Sequence, residues 1–358
     1  MPDWLFNSGF SAAGRIALWT VVGVAVTTVV LFAYTMALRL ALIRNGRRRN
    51  RLHEVWRPVF SGAMLDRNTA WHAVLPKFRR RDRILLLDIW NQLRHSVVGP
   101  AADNLIVIAQ RAGLDRVAGE LFHSRDAREK LLAIQSLGYL RDDDYKDVMI
   151  ALIDSEETIV SITAALALVE IDADVAVRHV VPKIVRRRDW PKVQLSDFLR
   201  SAGGERIGEP MYRALRNASD EDTVYLLQFA GLIEAEVLEA LVVELIRESR
   251  HPGVLNAALK LVNGFDGVPR LASLTRHDEW YVRVQAAKVI GRLGEPEHVS
   301  LLESMLEDAE WWVRYRAAQS LVSLPFLGPN RLRELQRRQT DRYAAEILDQ
   351  AFAEVGLA

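Results

Sequence analysis

The side chains that most often carry catalysis or metal binding are thinly placed in this chain. Its eight histidines, at 53, 72, 95, 123, 179, 251, 277 and 298, include no His-x-x-x-His and no His-Glu-x-x-His, the spacings that turn two imidazoles of one helix toward a metal. There is no cysteine, which removes disulfides, thiolate metal sites and thiol nucleophiles together. The glycine patterns of a phosphate-cradling loop, a dinucleotide turn or a nucleophile elbow do not occur. Acidic residues are abundant, but no pair stands out as a general acid and base. The expectation is a protein that catalyses nothing and needs neither cofactor nor metal.

The residues that invite a binding role are aromatic and basic. Trp280 and Trp311 fall at equivalent positions of two similar segments, with Tyr281, Trp312 and Tyr315 beside them. Stacked repeats would align them as a ridge, and Trp and Tyr are frequent in interface hot spots. The competing reading packs each indole into the joint between its own hairpin and the next. Arg283 and Arg314 likewise admit two readings: basic contacts for a partner, or ion pairs with an acidic turn residue, Asp278 or Asp308. Two basic runs lie nearer the N-terminus. Arg44, Arg47, Arg48, Arg49 and Arg51 form one, and Lys77, Arg79, Arg80, Arg81 and Arg83 the other; both suit anionic headgroups at roughly 1 kcal/mol per basic residue near the surface. A third run, Arg186 to Arg188, reads as an exposed turn between helices.

The elements that position these residues come from two patterns. Asp278-Glu279-Trp280-Tyr281-Val282-Arg283-Val284-Gln285-Ala286-Ala287 recurs as Asp308-Ala309-Glu310-Trp311-Trp312-Val313-Arg314-Tyr315-Arg316-Ala317-Ala318. Weaker copies are anchored at Ala133, Ala164, Asp197, Leu226 and Ala258, so that successive anchors are separated by 31, 33, 29, 32, 28 and 31 residues. Such a period is that of a repeated helical hairpin. Small residues at the anchors let helices approach, and the apolar face of each hairpin must be buried by its neighbour. The segment from Leu85 to Phe122 reads as degenerate first repeats and that from Arg342 to Phe352 as a closing helix.

The second pattern is N-terminal. Ile16 to Leu38 is free of charge for 23 residues, about 35 Å as a helix, enough to cross a hydrocarbon core of about 30 Å. Trp19 and Tyr34 lie toward its ends, as interfacial rings do. No lysine or arginine precedes Arg15, whereas six arginines lie between 39 and 51, so the positive-inside bias places the long C-terminal part in the cytoplasm. A signal peptide would show the opposite charge order and a shorter apolar core. The formal net charge is +1, yet seven of the 47 basic residues and one of the 46 acidic ones lie at or before position 51. The remainder is net acidic by about five charges, against the basic field of a general nucleic-acid binder.

The acidic turn, Val-Arg, Ala-Ala and apolar helix end of the two best copies resemble the second helix of a HEAT repeat or of the HEAT-like repeat of bilin lyases. The N-terminal anchor, Trp56-Arg57-Pro58 and Asp88-Ile89-Trp90-Asn91 within Leu85 to Leu93 resemble a group of bacterial proteins with one membrane anchor and cytoplasmic HEAT repeats. The resemblance implies a scaffold or adaptor whose partner is a membrane-associated protein, in that group often a glycosyltransferase of envelope or exopolysaccharide synthesis. Bilin lyases of the HEAT-like class imply an alternative, a membrane-bound accessory enzyme with a deep, basic, aromatic surface. HEAT-like DNA glycosylases use a basic groove, which the net charge disfavours.

The expected organisation is all-α. A short periplasmic N-terminus occupies 1–15, a single transmembrane helix of the bacterial inner membrane 16–43, a basic juxtamembrane linker and helix 44–84, and a HEAT-repeat α-solenoid 85–358.

Overall fold

The computed structural model describes residues 12–263 and 268–356, with side chains from position 19 onward except at 41. Among the described residues every regular element is helical. The chain divides into two units, Met1–Leu140 and Arg141–Ala358.

The first unit holds α1 (Ala12–Leu65), α2 (Arg67–His72), α3 (Arg83–His95), α4 (Pro100–Arg111), α5 (Leu114–Phe122) and α6 (Ala127–Leu140). Of the expected N-terminal segment 1–15, residues 1–11 lie outside the described residues and 12–15 begin α1. The most apolar stretch of α1 has a mean hydropathy of 2.2 and buries none of its side chains. Among the described residues α1 is the one helix long and apolar enough, by length and composition, to cross a membrane. Thr27 and Thr28 each donate a hydroxyl hydrogen bond to the carbonyl four residues back, both at 2.8 Å. That leaves little unmet polarity on an apolar surface.

Beyond position 43 the helix does not stop. It continues through the arginine run and Pro58 to Leu65, and its surroundings change along the way. Leu52, Trp56, Phe60 and Ala63 are buried; they share one helical face, which α2 and α4 cover. The Trp56 ring lies 5.6 Å from Phe60 and 5.9 Å from Phe78. On α3, Leu86, Leu87 and Trp90 are fully buried, and Trp90 Nε1 donates to the Leu105 carbonyl at 3.0 Å. Asn91 donates to Ser136 Oγ at 2.9 Å, tying α3 to α6. Trp56 and Trp90, which sit in the two motifs behind the bacterial resemblance, are therefore core residues.

The second unit continues with α7 (Lys146–Ile153), α8 (Thr158–Ile171), α9 (Ala173–Val180), α10 (Lys192–Ala202), α11 (Gly204–Arg216), α12 (Asp220–Leu226) and α13 (Ala235–Glu248). It ends with α14 (Pro252–Leu261), α15 (Leu271–Leu274), α16 (Trp280–Leu293), α17 (Val299–Met305), α18 (Trp311–Ser323), α19 (Pro329–Arg338) and α20 (Arg342–Glu354). The anchors read from the sequence fall on α6, α8, α10, α12, α14, α16 and α18 in turn, the second helix of each hairpin. Five are buried alanines, and Leu226 is buried as well. Asp197 is not: it is half-buried and pairs with Arg200 at 2.7 Å, which is why that copy fits by spacing alone. From α12 on, each second helix packs on the next, and one apolar core runs from Val242 to Phe352. Small anchors make this close stacking possible, since a larger side chain there would hold the helices apart.

Candidate aromatic ridge and basic groove

The turns before α16 and α18 are built alike. His277 Nδ1 accepts from the Glu279 amide at 3.0 Å, and Asp308 Oδ1 accepts from the Glu310 amide at 2.9 Å. The structural match is therefore His277 with Asp308, an offset of 31 residues that also pairs Arg283 with Arg314. Arg283 donates through Nη1 to the carbonyls of His277 and Asp278, at 2.8 and 3.0 Å. Its Nε and Nη2 meet both oxygens of Asp308 in the following turn, each at 2.7 Å. With side chains only 13% and 12% exposed, this fork-to-fork pair is a clamp between successive hairpins. It carries out the ion-pair reading of Arg283.

The aromatic residues lie at the mouth of the same turns. Trp280 and Trp311 are the first residues of α16 and α18 and remain 41% and 40% exposed, and Trp312 54%. Trp311 stacks on Tyr315, with centroids 5.0 Å apart and planes at 10°, and meets Trp312 edge-on at 4.8 Å. Trp280 meets Tyr281 edge-on at 5.9 Å. Tyr281 and Tyr315 pack partly against the core. The sequence offered a choice between ridge and joint. Both occur: the tyrosines go inward and the indoles keep a large open face.

Tyr315 links the ridge to α20. Its hydroxyl donates to Glu354 at 2.9 Å, and Gln319 donates to the same carboxylate at 2.9 Å. Gln319, then Tyr315, hold the Glu354 carboxyl below its usual value, while the hydrogen bond to Glu354 raises the Tyr315 phenol.

A second feature escaped the sequence reading. Across α14, α16 and α18 runs an open groove of about 770 Å³ lined by Lys260, Gln285, Lys288, Gly291, Arg292, Arg316, Gln319, Ser320 and Ser323. Four cations line it and no carboxylate does. Arg292 donates to the Leu259 carbonyl at 3.0 Å, but among the described residues none of the four forms an ion pair. Burial depresses Lys288, and Arg316, Lys260 and Arg292 depress it further; burial also lowers Arg292. The floor is set by Gly291, where a Cβ would lie 2.7 Å from the Ser320 side chain. The signal was present in the sequence as one stripe on two helices, 285, 288 and 292 matched by 316, 319 and 323. A net charge summed over the whole chain hid it.

Residues 268–347 match a family model described as HEAT repeats. The ridge, the Arg283 clamp, and the α16 and α18 walls of the groove thus all lie in HEAT repeats. Comparison with curated proteins gives no match. Among solved structures the chain is similar to one described as an engineered protein, at 14% identity over 86% of this chain and 99% of that one, with a TM-score of 0.33.

Outside the HEAT repeats the basic runs divide. Arg44, Arg47, Arg48 and Arg51 are exposed on one stripe of α1, turned away from the face that Leu52, Trp56 and Phe60 bury. Arg49 points elsewhere and binds Asp88 at 2.7 Å and Gln92 at 2.6 Å. Lys77, Arg79, Arg80 and Arg81 are exposed, whereas Arg83 is ion-paired with Glu120. Arg49 and Arg83 thus have protein partners, unlike the solvated arginines beside them. In the third run Arg187 donates to both oxygens of Asp189, each at 3.0 Å, and to the carbonyls of Ile153 and Ser155 at 3.0 and 3.1 Å, and Arg188 pairs with Asp222. After α16, Glu295, Glu297 and His298 place donor atoms within 4.8 Å of one another; His298 Nδ1 already lies 2.8 Å from the Glu295 carboxylate.

Proposed function

We propose that the chain is a membrane-tethered scaffold. Its N-terminal helix crosses the inner membrane once, its C-terminal part stands in the cytoplasm, and its HEAT repeats hold a membrane-associated partner protein without catalysing a reaction. The observation that carries this reading is α1 itself. One helix is apolar and unburied in its first half, and in its second it buries Leu52, Trp56, Phe60 and Ala63 in the first bundle. No flexible linker separates the span from the first unit, so insertion would fix the orientation of that bundle as well as its depth. Confinement to the membrane face raises the local concentration of the scaffold near a membrane partner. The stripe of Arg44, Arg47, Arg48 and Arg51 then faces anionic headgroups, and the open indoles of Trp280, Trp311 and Trp312 offer anchoring residues of the kind that dominate protein interfaces.

The bacterial resemblance suggests a glycosyltransferase of envelope or exopolysaccharide synthesis as that partner. The bilin-lyase alternative asks for a deep, basic, aromatic-lined pocket. The groove is basic, but it is open and no aromatic side chain lines it, so the scaffold reading is preferred.

The test is affinity purification of the tagged full-length protein from its own membranes in mild detergent, with α1 alone as control, followed by mass spectrometry. Specific recovery of a membrane enzyme, reduced at least about tenfold by Trp280→Ala with Trp311→Ala while the circular-dichroism melt is kept, is expected. If nothing is enriched over the control from well-solubilised membranes, the scaffold reading falls.

A further inference from the structure

The groove across α14, α16 and α18 is assembled from repeat-equivalent positions, yet its chemistry is one-sided. Gln285 on α16 corresponds to Arg316 on α18, Lys288 to Gln319, and Arg292 to Ser323, while Lys260 closes the groove from α14. Four cations therefore face a common space with no carboxylate in the lining. Lysine and arginine placed together without a counter-charge repel one another, and partial burial adds to that cost. An arriving anion relieves both terms.

The rest of the lining indicates which anion. Gln285 and Gln319 each carry a donor and an acceptor, which suit the amide groups of a peptide backbone as well as a carboxylate. Gln319 already donates to one carboxylate, that of Glu354, at 2.9 Å. No aromatic ring lines the groove for bases to stack upon, and the groove crosses the flanks of its helices, away from the free backbone amides that cradle phosphate at helix N-termini. Three helices spaced about 10 Å apart span about 20 Å, the reach of about six residues of extended chain.

We propose that this groove binds an extended acidic segment of a partner protein, with carboxylates meeting Lys260, Lys288, Arg292 and Arg316 and the peptide backbone meeting Gln285 and Gln319. The proposal deepens the scaffold reading and rests on it for the partner being a protein. A synthetic peptide bypasses the partner, so failure to capture one from membranes and failure of this site are separate results.

The experiment is fluorescence anisotropy of labelled hexaglutamate on the full-length protein in nanodiscs of phosphatidylcholine, which carry no net charge to compete. Hexaglutamine, oligothymidylate and inorganic polyphosphate are the comparison ligands. Saturable binding of hexaglutamate and not of hexaglutamine is expected, weakening as salt rises past about 0.15 M. Lys288→Gln with Arg316→Gln weakens it about tenfold or more. Ser323→Glu, an exposed change that puts a carboxylate at the groove without removing packing, weakens it similarly and guards against misfolding of the double variant. The proposal is overturned if hexaglutamate does not bind at low salt, or if binding is indifferent to Ser323→Glu. Tighter binding of oligothymidylate or polyphosphate would equally overturn it, making the groove a phosphate site.

Discussion

The turns at 277–280 and 308–311 open helices that correspond at an offset of 31 residues, yet their arginines end in different company. Each reaches back through Nη1 to the two carbonyls of its own turn. Arg283 then closes on Asp308 of the next turn with two bonds of 2.7 Å. Arg314 finds no such carboxylate. The nearest candidate, Asp341, stands immediately before α20 and spends its side chain on the Ala344 amide at 2.9 Å as a helix cap. The Arg314 guanidinium lies instead over the Tyr343 ring, 5.7 Å from its centroid, and its Nε is buried without a partner. An arginine in a HEAT repeat is thus defined by the hairpin that follows it, and a repeat before the closing helix loses half of its clamp.

That contrast sets the largest expected effect. Arg283→Ala strands the Asp308 carboxylate in a nearly closed site and leaves two turn carbonyls unmet, a loss of about 3 kcal/mol. Arg314→Ala removes turn hydrogen bonds and a half-exposed ring contact, about 1 kcal/mol. Urea unfolding of both variants in detergent, followed by circular dichroism, checks this. Equal losses would show that the bidentate pair adds nothing beyond the turn bonds the copies share, and the contrast would collapse. A double-mutant cycle of Arg283→Ala with Asp308→Ala isolates the pair itself.

The copies differ a second time where their helices approach. Gly291 on α16 lies so close to α18 that a Cβ would be 2.7 Å from Ser320 Cβ and 3.1 Å from its Cα. The matching residue on α18 is Val322, which packs against the core without hindrance. Gly291→Ala therefore overpacks the α16–α18 contact, and the gain in helix propensity offsets part of the cost, leaving a net loss of about 1 kcal/mol. Adding Ser320→Gly opens the same space, and the alanine should then be harmless or favourable in the same unfolding assay. If Gly291→Ala stabilises the chain on its own, the helices separate freely there, and the groove floor is softer than the close approach indicates.

The sequence made the repeat period legible because the physics behind it is local. Small anchors at 31-residue spacing and an apolar face on each second helix suffice to place α6, α8, α10, α12, α14, α16 and α18. The Arg283 clamp was legible to the level of two candidate partners, Asp278 and Asp308, since both are acidic and one turn away. Which oxygen atoms Arg283 takes was not, because it depends on how far the next turn lies from its helix start. The continuity of α1 past position 43 was hidden for another reason: arginines end an apolar span without ending a helix, as they are good helix formers. The groove was missed because its cations are scattered in sequence from 260 to 316 and become neighbours only when three helices stack.

The smallest effect tests whether the Arg283 arrangement is a general device of the fold. Arg187 copies it in an earlier hairpin, with two bonds to Asp189 and two to the carbonyls of Ile153 and Ser155. Hydrogen bonds from Arg187 and then Thr158 pull the Asp189 carboxyl from 3.8 to about 2. A folded-state value below the unfolded one means that the unfolded chain binds more protons between those limits. The contribution of Asp189 is therefore complete above about pH 4 and lost as pH falls toward about 2. Asp189 is 42% exposed, so solvent screens the pair and the contribution is small beside that of Arg283. Asp189→Asn should flatten the acid limb of stability against pH while leaving its shape above pH 5 unchanged. An acid limb identical to that of the parent would mean that the exposed copy has the geometry of the clamp without its energy, and that burial at Asp308 is what makes the difference.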